Sequence, residues 1–151
     1  MTQLPRHLAV HEAGHAVAAI RLRLSLRYAG LDARAPHLGS TVWAPTSAGS
    51  PDRDRREAVC VYAGCEARLH DGASPNDILL VTETKQDFSK ALAIGRRLVG
   101  EDELRSWVDE CRGEARDLIA ADWAAVQAVA EAILAHRKLG GSEVRAIVLG
   151  S

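Results

Sequence analysis

A chain of 151 residues that is 47% hydrophobic carries enough apolar material for one core and too little length for two independently folding domains. Lysine plus arginine (19) nearly cancels aspartate plus glutamate (20), so the sequence has no large net field to draw it to nucleic acid or to an anionic membrane. Cys60, Cys65 and Cys111 are odd in number and show no CxxC spacing, which argues against a disulfide framework and a cysteine-built zinc cluster and leaves reduced, buried thiols as the expectation.

No apolar stretch of signal-peptide length precedes His11, and no later run approaches the roughly 20 apolar residues that span a bilayer. A cytoplasmic protein is expected.

Pro5 suits a first helical turn, and Val10, Ala13, Val17 and Ile20 follow at helical spacing as a stripe to be buried, with His11 and His15 on a row beside it. From Arg21 the pattern alternates, Leu22, Leu24, Leu26 and Tyr28 against Arg21, Arg23, Ser25 and Arg27, which predicts a strand emerging near Leu22 or Leu24. Pro36 to Gly39 reads as a turn and Ser40 to Ala44 as a second strand of a sheet of two or three strands.

Pro45 to Pro51 reads as a loop, after which Ser50-Pro51-Asp52 supplies a cap, a first-turn proline and an acidic start for a helix to about His70. Its middle, Ala58 to Ala63, is apolar nearly all round, which places it centrally, behind the first helix. A further helix begins near Ser74 or near Thr84 and runs to about Val99. Helical stretches follow over about Glu101 to Cys111 and Glu114 to Lys138, with Gly140-Gly141 ending the second and Ser142 capping a last helix through Val148. The expected fold is mainly α (α+β), a single helical domain over residues 1–151 with a small sheet near the N-terminus.

His11-Glu12-Ala13-Gly14-His15 is the chemical feature of this sequence. Residues four apart lie one above the other on a helix, so both imidazoles can reach one zinc ion with bonds of about 2.0–2.1 Å. Glu12 is turned about 100° from His11, beside the metal rather than on it, and is cast as a general base. Gly14 weakens a helix interior by about 1 kcal/mol relative to alanine. Close approach of another segment, one carrying a third ligand, would explain it.

From this motif the resemblance widens. His11 to Val17 resembles the HEAGHA signature of the FtsH family of zinc metallopeptidases, and Tyr62-Ala63-Gly64-Cys65-Glu66-Ala67 is similar to that family's GGRAAE-like helix. Asp87 to Val99 resembles its D-I-x-x-A-T-x-I-A-R-x-M-V helix, and Leu139 to Arg145 its L-x-G-E-E-V-R ending. The resemblance implies a helical metallopeptidase domain and Asp87 as third zinc ligand beside His11 and His15. Asp77 is the second candidate, because Gly72 to Ile78 resembles the family's G-A-S-N-D-I run, and Glu66 is a third. These 151 residues depart from the family pattern in holding no Walker sequence and in placing Arg68 where the family tends to place glutamate, and neither the family's ATPase module nor its membrane anchor is expected.

The expected function is zinc-dependent, ATP-independent hydrolysis of peptide bonds in peptides or unfolded proteins, with Glu12 as base and an oxyanion stabilised by the metal. His37, His70 and Tyr62 are candidates for a second oxyanion donor. A homo-oligomer or a separate ATPase partner stays open, and the alternative is a catalytically idle interaction or regulatory module on the same fold. No nucleic-acid or membrane partner is expected.

Overall fold

The computed structural model describes residues 6–32, 39–44, 49–79 and 82–150, with only the backbone described at 79, 82 and 83. Among these residues lie seven helices and a three-stranded antiparallel sheet of order β2-β1-β3. The mainly helical fold with a small sheet is therefore observed.

Helix α1 (Arg6–Arg21) runs through the centre of the molecule. Every residue from Leu8 to Ala19 is buried, not only the stripe of Val10, Ala13 and Val17. Apart from Leu8, the sides that the apolar pattern left over carry alanine, glycine and the three polar residues of the HExxH motif. The small residues admit neighbours and the polar ones find partners, so burial all round is tolerated.

The strand predicted from Leu22 or Leu24 begins later. Leu22 N donates to Ala18 O at 2.8 Å and Leu24 N to Ala19 O at 2.9 Å, so these residues close the helix, with Arg23 between them at φ 59. Strand β1 spans Leu26–Leu31, and its register shifts between Leu26 and Tyr28. Past that irregularity Ala29, Gly30 and Leu31 are all buried, and the large side chain among them, Leu31, is opposite in parity to the Leu22, Leu24, Leu26, Tyr28 series. An extra residue in one strand turns the following side chains to the other face.

Strand β2 (Gly39–Trp43) pairs with β1 through Ala29 opposite Thr41 and forms one edge of the sheet. Helix α2 (Pro51–His70) begins as its sequence predicts, with Ser50 Oγ accepting from Arg53 N at 3.1 Å. Both proposed starts of the next helix are used: α3 (Pro75–Leu79) is capped by Ser74, and α4 (Thr82–Leu98) carries Asp87.

Helix α5 (Glu101–Ala121) passes through Gly113, where a break was expected. Its buried series Leu104, Trp107, Cys111, Ala115 and Ile119 is unbroken, and that packing outweighs one glycine. The break falls at Asp122, where α5 meets α6 (Trp123–His136) at 80°. The chain leaves α6 through Arg137 at φ 66, so Gly140-Gly141 does not end that helix. Lys138–Gly140 forms β3 against the far edge of β1, and α7 (Gly141–Gly150) follows.

The buried apolar side chains join into one cluster. No single described helix is long and apolar enough to cross a membrane. Pro5, the proposed turn at 36–38 with His37, and most of the loop from Pro45 lie outside the described residues.

Candidate metal centre

One helical turn separates His11 from His15 on α1, and α4 brings Asp87 across to both. His11 Nε2 and His15 Nε2 each lie 3.0 Å from Asp87 Oδ2, and the two Nε2 atoms are 3.1 Å apart. Both histidines are almost fully buried, whereas the Asp87 side chain is 22% exposed, so the triangle has one open side. Among the described residues this is the group of three ligand-type side chains that converges closely enough to hold a metal ion.

The triangle fits zinc. Ligand atoms on a tetrahedral ion with bonds of about 2.0–2.1 Å sit about 3.3 Å apart, and the observed separations need open by only a few tenths of an ångström. The donor chemistry agrees, since two imidazole nitrogens and one carboxylate oxygen leave a fourth position free, as catalytic zinc sites do. A carboxylate oxygen and two ring nitrogens held this closely repel through their lone pairs unless a proton or a cation lies among them.

A proton on His15 would relieve that repulsion, and the surroundings of the ring favour one. His15 Nδ1 lies 2.9 Å from the Cys60 carbonyl oxygen, which can only accept, so Nδ1 carries hydrogen and Nε2 is the nitrogen turned to Asp87. Burial works to lower the His15 pKa, but it is outweighed by the Asp87 charge and hydrogen bond, with Glu12 and the Cys60 carbonyl adding to them. The imidazole is pushed up to about 9. For Asp87 burial works upward and is outweighed by His15 and His11, which hold the carboxyl well below the usual carboxylate range.

Glu12 is buried but stands outside the triangle. Thr41 Oγ1 donates to its Oε1 at 2.7 Å, and Gly39 leaves room for the carboxylate: a Cβ there would come within 2.6 Å of Oε2. Strand β2 thus clamps the acid against the small cavity, about 160 Å³, that His11, His15 and Asp87 also line. A carboxylate so placed faces whatever occupies the open side of the triangle.

Helix α2 shapes the site without supplying a ligand side chain. A Cβ at Gly64 would come within 2.5 Å of His15 Nε2, so glycine makes the space the ring fills. A Cβ at Gly14 would meet Ala63 O at 2.6 Å and the Ala67 Cβ at 2.7 Å. The close approach expected at Gly14 is therefore observed, but the segment that approaches is α2, and Asp87 comes from α4. The roles of Gly64, Thr41 and the Cys60 carbonyl escaped the sequence reading. Only the Gly64 within the GGRAAE-like run gave a signal.

Of the other candidates, Asp77 lies exposed on α3, its N–H donating to Ser74 Oγ at 3.1 Å, and does not join the triangle. Glu66 is buried and accepts from Arg112 Nε at 3.2 Å. Tyr62 packs in the core against Phe88, and burial pushes its hydroxyl up to about 12. His70 packs against Trp123 with the rings tilted and their centroids 4.4 Å apart. None of these four lines the cavity at the triangle. Arg68, the departure from the family pattern, is buried with Nε and Nη1 unpartnered. No protein-family model and no curated protein matches the sequence. The likeness to FtsH peptidases rests on the four stretches themselves.

Proposed function

We propose that this chain is a zinc-dependent peptidase of FtsH-like type that hydrolyses peptide bonds in peptides or unfolded proteins without ATP. His11, His15 and Asp87 would hold the metal. The observation that carries this reading is the pairing of a three-donor triangle with a separate buried carboxylate, Glu12, on the same small cavity. A structural zinc usually has four protein ligands and needs no such acid beside it.

Zinc bound there would act as a Lewis acid toward a water molecule and toward the carbonyl under attack. The chain's own groups do the rest. Glu12 accepts the proton of the attacking water and returns it to the departing amine, while Thr41 keeps its Oε1 in place. Cys60 fixes the His15 tautomer through Nδ1. Asp87 contributes a negative charge that offsets part of the metal's. The edge of β2 beside the cavity offers backbone groups to an extended peptide. Three free buried cysteines accord with a reducing, cytoplasmic setting, which belongs to the same proposal.

Metal analysis joined to a peptidase assay on wild type and Glu12→Gln tests the reading. Zinc retained in both, with cleavage lowered about a hundredfold or more in the variant, is the expected result. Zinc retained with no cleavage in either protein would overturn the enzyme and leave the idle interaction module.

A further inference from the structure

We propose that the cleft continuing from the metal site binds a peptide carboxylate, held by Lys90 and Arg97, and so selects acidic segments or free C-termini. The inference rests on the peptidase reading for the identity of its occupant. The cleft, about 620 Å³, shares Thr41, Trp43 and Lys90 with the smaller cavity at His11, His15 and Asp87. A peptide reaching the metal site along β2 therefore runs into it.

Charge in the cleft is layered. Its acids lie low: the side chains of Glu57 and Asp54 are only 16% and 18% exposed, and each is already engaged. Glu57 pairs with Arg53 through Oε2 and lies 3.5 Å from Lys90 Nζ through Oε1, while Asp54 Oδ2 is 4.0 Å from Arg97. The cations form the rim, with Lys90 52% and Arg97 61% exposed. Arg53 is nine-tenths buried and its Nε has no acceptor. Three cations thus face two carboxylates in a chain whose net charge is −1. The rim that an incoming chain meets first is therefore the two exposed cations, with the acids beneath them.

Spacing adds direction. Lys90 follows Asp87 by three residues and so stands on the same side of α4, with its Nζ 4.8 Å from the centre of the Trp43 ring. Arg97 follows two turns later, about 10 Å further along the helix, the span of about three extended residues. Arg97 stands ten residues, about 15 Å, beyond Asp87, so a carboxylate one or two extended residues from the metal reaches Lys90 and one four or five residues away reaches Arg97.

Titration calorimetry on the full chain carrying Glu12→Gln, with chelator present so that no metal draws the carboxylate, tests this directly. Four acetylated heptapeptides are compared: amidated with glutamate, glutamine or lysine at the centre, and the glutamine peptide with a free C-terminus. At least one carboxylate peptide should bind about threefold to tenfold more tightly than the amidated glutamine peptide, and the lysine peptide most weakly. Preference for the glutamate peptide assigns a side chain, and preference for the free C-terminus assigns the chain end. The preference should vanish in Lys90→Gln/Arg97→Gln and in high salt, both variants being checked by circular dichroism. Equal binding of all four peptides, no binding of any, or discrimination unchanged in the double variant would overturn it. Acid-selective binding by a protein that never cleaves keeps this inference and removes the peptidase, whereas cleavage indifferent to charge does the reverse.

Discussion

His15 has one nitrogen committed to the Cys60 carbonyl and the other turned to Asp87, so the proton on Nε2 and a metal ion compete for one place. Its pKa is raised from 6.5 to about 9 in the folded protein, so the stability it gives the metal-free state is full below 6.5 and fades as pH rises through about 9. Asp87 is depressed, and its contribution is present above its ordinary 3.8 and lost only as pH falls toward its folded value. Zinc binding there would have to displace the His15 proton, which would make uptake harder as pH falls. Apparent zinc affinity measured against a competing chelator should climb by about tenfold per pH unit between pH 6 and 8. A flat profile over that range would contradict the assigned protonation. At this scale the sequence was informative where chemistry depends on a helical turn, as with His11 and His15. It was silent on Thr41 and Cys60, because nothing local marks which hydroxyl or carbonyl will fold against Glu12 or His15.

Helices α1 and α2 pack through glycine and alanine on both sides, and two glycines there do different work. At Gly14 an added Cβ meets backbone, Ala63 O at 2.6 Å, so the helices must part. Gly14→Ala should destabilise the protein by about 1–3 kcal/mol in chemical denaturation. At Gly64 the Cβ meets the His15 ring at Nε2 instead. Gly64→Ala should weaken zinc binding at least tenfold while circular dichroism stays that of the wild type; unaltered zinc affinity would remove Gly64 from the site. Elements with local punctuation were legible in advance. Helix α2 has its serine cap and first-turn proline, and α3 and α4 take one each of the two start signals near Ser74 and Thr84. Alternation from Leu22 to Tyr28 misled, since its first residues close a helix and its last follow a register shift. Both departures arise from pairing and packing with distant residues. The long α5 misled for a similar reason, its buried stripe carrying the helix through Gly113.

Across the whole molecule, α1 is the shared wall: α2 and the sheet cover it, and α4 reaches it where Asp87 meets His11 and His15. Composition and periodicity predicted that mainly helical plan with its small sheet. They did not predict that residues 138–140 return to complete the sheet, because three residues are too few to show a strand period. Bringing Asp87 to α1 spans 72 residues from His15, and the family resemblance rather than any periodicity pointed to it. Zinc bound to the folded triangle and not to the unfolded chain would tie α1 to α4 and stabilise the whole by mass action. The most direct test is calorimetric zinc titration of the wild type beside Asp87→Ala. The wild type should bind one zinc per chain and the variant at least a hundredfold more weakly; no uptake by the wild type, or equally tight uptake by the variant, would contradict the account.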